Sequence, residues 1–214
     1  MHPAPRRRPV SRRVILLHGL WMPGASMHWF AAKLSAAGFT PEIFSYHSVT
    51  DGPDTAVPRL VQRLRDSGAD VVAHSLGGLI ALQALCDAPQ VAVRRVVCLG
   101  SPLKGSGAVS GMMMRWAPAA AMFGRSAALL QQGVDCWEGE AEVGVIAGRV
   151  PHGLGALFAG FDGEHDGTVA VAETELPGLA DHVIVDASHS GLLFSAEAVE
   201  QAIAFLLEGR FRRV

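Results

Sequence analysis

The chain has 214 residues, half of them hydrophobic and 18% charged, with a formal net charge of -2. That balance excludes a disordered chain and supplies apolar mass for one domain with a large core. It also excludes the whole-chain basic field of a nucleic-acid binder.

Basic charge is concentrated only at the start, in Arg6, Arg7, Arg8, Arg12 and Arg13. No aromatics are interleaved with it, so residues 1–11 read as a flexible, solvated basic tail and 12–214 as a single domain. The arginines are not followed by an apolar stretch of signal-peptide length. No apolar run approaches the roughly 20 residues of a membrane span, so no transmembrane segment is predicted and a soluble cytoplasmic protein is expected. Three cysteines cannot all pair, and Cys86 and Cys98 lie in apolar runs where they read as small core residues, which argues against a disulfide framework.

Short β-branched runs alternate with helical stretches. "RRVILLHG" (Arg12 to Gly19) is a buried-strand pattern ending in a glycine turn, and "MHWFAAKLSAAGF" follows with helical spacing. "PEIFSY" (Pro41 to Tyr46) is a second strand. Asp54 to Ala69 is a helix with Val57, Leu60, Val61 and Leu64 as its apolar stripe and Pro58 placed in its first turn. "DVVAHS" is a third strand and "LGGLIALQALC" the helix after it. Val93 to Pro102, Ala141 to Arg149 and Asp181 to Ala187 are strands four to six. A closing helix runs from Ser195, its N-cap, to Gly209, its C-terminal stop.

Near-continuous apolar strands separated by helices predict an α/β fold: a mainly parallel sheet of about six strands, covered on both faces and doubly wound. Ligands in such sheets bind beyond the carboxyl ends of the strands. His18, Ser75, Ser101 and His189 gather at those ends, and Asp166 joins them from the loop after strand five. Lys104 to Glu140 breaks the rhythm, being far longer than a normal crossover. Its Met112, Met113, Met114, Trp116, Met122 and Phe123, with several glycines, suit either a lid over an acyl-binding surface or a helical crossover packed into the core. No internal repeat, low-complexity tract or second-domain boundary is visible.

The chemistry centres on Ser75. Ala73-His74-Ser75-Leu76-Gly77 differs from the G-x-S-x-G nucleophile elbow by one methyl group, and it lies between a strand and a helix, the setting that motif requires. A serine hydroxyl attacks a carbonyl only when a base takes its proton and a third group orients that base. In this motif's setting the order along the chain is nucleophile, acid, histidine. Of nine histidines, His189 alone follows the last strand and precedes the last helix, so it is the expected base. Asp166, in Asp-Gly-Thr-Val, is the expected acid, since a glycine turn and an apolar run would fix its carboxylate; Asp162 is the alternative, and Asp186 is too near His189 in sequence. An oxyanion hole needs backbone N–H groups after the nucleophile and after the first strand. Leu76 and Leu20 are the expected donors, with Trp21 as alternative to Leu20.

Four segments, "VILLHGL", "AHSLGG", "GSPLKGS" and "HDGTV…HSGLL", occur in order from Val14 to Leu193. On them the chain resembles the small bacterial lipases and esterases of the α/β-hydrolase superfamily. The resemblance implies the α/β-hydrolase fold with Ser75 as nucleophile, Asp166 as acid, His189 as base, and Leu20 and Leu76 as oxyanion donors. Ser101 stands where the family's segment usually has threonine and is assigned no role. The expected activity is cleavage of carboxylic esters with apolar acyl groups through an acyl-enzyme. A thioesterase or acyltransferase could run on the same triad, and a non-catalytic binding protein on a hydrolase scaffold is the reading from another class. Trp21, Met113, Trp116 and Leu192 are the residues expected to touch the substrate. No cofactor is needed, and no H-x-x-x-H or C-x-x-C spacing points to a metal.

Overall fold

The computed structural model describes residues 12–116, 118–152 and 163–213. The basic tail 1–11 and the alternative acid Asp162 lie outside the described residues. In chain order the strands and helices are β1 (Arg13–Leu17), α1 (His28–Ala36), β2 (Thr40–Phe44), α2 (Gly52–Ser67), β3 (Asp70–His74), α3 (Leu76–Asp87), β4 (Arg95–Leu99), α4 (Gly107–Arg115), α5 (Ala119–Phe123), α6 (Ala127–Gln132), β5 (Glu142–Gly148), α7 (Val171–Thr174), β6 (Asp181–Val185) and α8 (Ala196–Glu208). Short 3-10 turns at Gly24–Met27, Gly124–Ser126 and Gly191–Phe194 add to these.

The six strands form one sheet in the order β2-β1-β3-β4-β5-β6, and every pairing is parallel. Alternation along each strand splits the apolar side chains between two layers. Ile15, Leu17, Val71, Ala73, Val96, Cys98, Val143 and Val145 face one way, onto Leu60 and Leu64 of α2 and Leu79 of α3. Val14, Leu16, Val72, Val97, Leu99 and Ile146 face the other way, onto Phe30 and Leu34 of α1 and Phe205 and Leu206 of α8. Each buried Val, Leu, Ile or Phe among them stabilises the fold by about 1.5–3 kcal/mol on leaving water. Burial on both faces is why the strands read as unbroken apolar runs.

Strand order reverses at β1: the chain crosses to β2 on one side and then to β3 on the other. The crevice above the carboxyl ends of β1 and β3 is therefore the place where such a sheet receives a ligand. His18 to Leu20 leave β1 there and Ser75 leaves β3 there.

Two expectations are corrected. Pro58 lies inside α2, not in its first turn, because the helix starts earlier, at Gly52, with Pro53 in the first turn where a missing N–H costs nothing. Cys86 is exposed near the end of α3, while Cys98 is buried and its thiol is pushed up to about 12 by burial. The closing helix matches expectation: Ser195 Oγ accepts from Ala198 N at 3.2 Å and Gly209 terminates α8 at φ 77°.

Residues 104–140 fold as α4, α5 and α6, and the two ends of the segment meet. Ser106 N donates to Leu130 O at 2.7 Å and Val134 N to Leu103 O at 2.7 Å, so the excursion leaves and rejoins the body at one point. Val109 of α4, with Phe123 and Leu130, is buried in the core layer of α2 and α3, and Met112 and Met113 pack against it partly buried. Met114 is 85% exposed and Trp116 52%. One side of the segment is thus core and the other faces solvent.

Candidate active site

β3 ends at His74 and α3 begins at Leu76, which leaves Ser75 alone to turn the chain. It does so at φ 53°, ψ -122°, a conformation that costs a non-glycine residue about 1–3 kcal/mol. Main-chain bonds hold it there: Ser75 N donates to Leu99 O at 2.9 Å and Gly78 N to Ser75 O at 3.0 Å. The turn drives α3 against β1. A Cβ at Gly77 would come within 2.8 Å of His18 O and 2.9 Å of Leu17 Cβ, so glycine is required there. Ala73 can replace the motif's first glycine because it is an ordinary strand residue, paired with Leu17 and Cys98, without positive φ.

The expected acid and base are bonded to each other. His189 Nδ1 donates to Asp166 Oδ2 at 2.7 Å. Asp166 is itself fixed, its Oδ1 accepting from Thr168 N at 2.9 Å and Val169 N at 2.8 Å. Both groups are buried. Gly100, just past β4 at φ 54°, makes room for the pair: a Cβ there would lie 3.0 Å from Asp166 Oδ2 and 3.3 Å from His189 Nδ1. With Nδ1 protonated and donating, Nε2 of neutral His189 carries the lone pair. Among the described residues no direct hydrogen bond joins Ser75 to His189; the two are linked through His74, whose ring centroid lies 4.7 Å from that of His189 and whose Nε2 bonds His189 O at 3.0 Å.

On the other side of the serine runs the loop after β1. Gly19 borders it, since a Cβ there would fall 3.0 Å from Ser75 Cβ. Among the described residues neither Leu20 N–H nor Leu76 N–H donates to a protein acceptor. Trp21 N–H is taken by Ser48 Oγ at 3.1 Å, which removes Trp21 as the alternative oxyanion donor. His18, fully buried, stacks on Tyr46 at 4.3 Å and bonds Gly19 O through Nδ1 at 2.9 Å, so it shapes the loop instead of facing the serine. Burial lowers its pKa.

The sequence matches the alpha/beta hydrolase family over residues 14–170. The chain belongs to that family. Among curated proteins none matches the sequence. Among solved structures the mature Bacillus licheniformis lipase BlEst2 is similar with a TM-score of 0.74 at 20% identity, over 96% of this chain and 95% of that one. A metagenomic carboxyl esterase follows at 0.64 and 16%, over 85% and 65%. Phospholipase PlaB from Legionella pneumophila gives 0.60 and 18%, over 84% of this chain and 53% of that one. At these identities the likeness is one of fold.

In this alpha/beta hydrolase the expected substrate contacts separate into two groups. Trp21, 55% exposed at φ 57°, donates from Nε1 to Met122 O at 2.7 Å and stacks on Phe123 at 5.5 Å, which ties the loop after β1 to α5. It lines an open cleft of about 680 Å³ with Met22, Tyr46, Val49 and Arg59, a wall that includes neither Ser75 nor His189. Trp116 is exposed at the end of α4 and Met113 is partly buried on it. Leu192 is the correction. It is fully buried in the layer of α1 and α8, its Cδ1 2.8 Å from where a Gly100 Cβ would be, so it supports the His189 loop and presents no surface to an open pocket.

Sequence reasoning missed Gly100 and His74. The strand pattern places His74 at a carboxyl end, but only the fold brings it against a loop 115 residues away. No helix among the described residues is long and apolar enough to cross a membrane.

Proposed function

We propose that this chain is a serine hydrolase that cleaves carboxylic esters with apolar acyl groups, acting through Ser75, His189 and Asp166. The observation that carries the reading is the 2.7 Å bond from His189 Nδ1 to Asp166 Oδ2 beside a serine held at positive φ. The bond leaves His189 Nε2 as the free base. Ser75 Oγ attacks the ester carbonyl while Nε2 takes its proton. Asp166 stays ionised, holds the tautomer and stabilises the imidazolium. The charge on the carbonyl oxygen develops toward Leu20 N–H and Leu76 N–H, neither of which donates to a protein acceptor among the described residues. His189 then returns the proton to the departing alkoxide, and a water deprotonated by the same nitrogen hydrolyses the acyl-enzyme. Hydrogen bonds of such pairs are often long or poorly aligned without substrate and tighten when it binds.

Residues 12–214 act in this reading as one domain, with 104–140 as a cap that Trp21 ties to the loop after β1; the cap's exposed Trp116 lines the acyl side while Met113 packs beneath it. The test is hydrolysis of p-nitrophenyl esters of graded chain length by wild type and Ser75→Ala. Turnover that rises with chain length and vanishes in the variant is expected; equal turnover by the two proteins would sink the reading.

A further inference from the structure

His189 is held at three of its polar groups. Its main-chain N–H donates to Asp166 O at 2.9 Å, and its Nδ1 to Asp166 Oδ2 at 2.7 Å. The third is its main-chain carbonyl, which meets His74 Nε2 at 3.0 Å. A carbonyl only accepts, so His74 carries its proton on Nε2 and donates it. Asp166 therefore holds the base from the β5 side, and His74 holds it from the end of β3, one residue from the serine. Nε2 is the polar atom of His189 that these bonds leave free.

We propose that His74 is a positioning residue: its Nε2–H clamps the main-chain carbonyl of His189 and so fixes the base relative to the strand that ends in Ser75. The clamp rests on the reading of Ser75, His189 and Asp166 as a triad.

Packing does not account for an imidazole at this position. β3 is buried along its whole length, and the residues before His74 are Val71, Val72 and Ala73. Among the described residues His74 Nδ1 is buried with no hydrogen-bond partner. A buried polar atom left unsatisfied destabilises the fold, and an apolar side chain would avoid that. Gly19 packs against this nitrogen, since a Cβ there would come within 2.9 Å of Nδ1. What sets histidine apart from an apolar ring here is the bond its other nitrogen makes.

The clamp also requires His74 to stay neutral. His189 becomes a cation when it takes the serine proton, and a second cation 4.7 Å away would oppose that step. The charged or titratable groups that act on His74 are His189, Asp166 and His18. Burial first, and His189 next, push His74 down to about 3, while Asp166 pulls the other way. His74 therefore remains an uncharged donor well above about pH 3.

The experiment pairs histidine ¹⁵N NMR of the wild-type protein with kinetics of His74→Phe and His74→Gln on a soluble short-chain p-nitrophenyl ester. The spectrum should show His74 as the Nε2–H tautomer, without titration between about pH 5 and 8. His74→Phe keeps the ring and loses the donor, so kcat should fall about 10- to 100-fold with KM within about twofold, the signature of a base out of place. His74→Gln can offer an amide N–H to the same carbonyl and should recover most of the loss, which a purely structural role would not give. An Nδ1–H tautomer, or a folded Phe variant with wild-type kcat, overturns the clamp. If His74→Phe does not fold, the wild-type spectrum and the Gln variant decide. A wild-type protein that turns over no ester would overturn the triad reading as well, whereas turnover with an unaffected Phe variant removes the clamp alone.

Discussion

Among the described residues two non-glycine side chains sit on left-handed backbone, Ser75 at φ 53° and Trp21 at φ 57°. The sheet holds the first. Ser75 is buried, its N–H on Leu99 of the neighbouring strand, and α3 starts immediately after it. The second is held from outside the sheet: Ser48 Oγ accepts from its N–H, the Met122 main-chain carbonyl accepts from its indole, and Phe123 lies against its ring. A positive φ is thus fixed by the core at the elbow and by a half-exposed segment at the cleft wall. Chemistry in this molecule should be insensitive to changes in residues 104–140, and acyl preference should be sensitive to them.

The largest effects should come at the sheet end. Ser75→Ala and His189→Ala are each expected to lower ester turnover by about 10³–10⁶-fold, because triad members act as a unit. Thermal unfolding of both variants should stay near wild type. Asp166→Asn should cost less than either in kcat. Next is Gly100→Ala, which puts a methyl at φ 54° within 3.0 Å of Asp166 Oδ2. Activity and melting temperature should fall together in that variant, and a wild-type profile in both would show that the pair tolerates displacement.

The segment's two sides should then separate. Trp116→Ser removes exposed apolar surface and should weaken turnover of long acyl esters while sparing acetate, since each lost CH₂ contact is worth about 0.8 kcal/mol. Its melting temperature should not move. Met113→Ser cuts into packed surface and should cost about 1–3 kcal/mol, visible as a fall of several degrees. Identical behaviour of the two variants, with short and long esters losing equally, would contradict the division.

Much of this was legible in the sequence because parallel strands are covered on both faces and so announce themselves as apolar runs, with chemistry left at their ends. Ser75, Asp166 and His189 stood out for that reason. What stayed hidden depended on contacts across the chain. α3 is apolar on nearly every side, so periodicity could not put Cys86 on the surface. The start of α2 at Gly52 moved Pro58 from a first turn to an interior. Leu192 looked like a pocket residue from its nearness to His189, yet a 3-10 turn at Gly191–Phe194 folds it into the core. The pinched ends of 104–140 rest on main-chain bonds that no side-chain pattern encodes.

The smallest predicted effect is on stability against pH. Burial holds His74, His18 and His182 below the ordinary histidine value, His74 at about 3. The unfolded chain then binds more protons than the folded one below about pH 6.5, so these groups withdraw stability as pH falls from there toward 3. The melting temperature should drop across that window, and less steeply in His74→Phe than in wild type. Parallel curves would mean that His74 does not stay neutral in the folded state.

The central claim, that Ser75 is an activated nucleophile, is tested most directly by labelling with a fluorophosphonate and mapping the modified peptide. The account predicts one adduct, on Ser75, that disappears in Ser75→Ala and forms far more slowly in His189→Ala. An adduct on another residue, or ester turnover in a protein that takes no label, would contradict it.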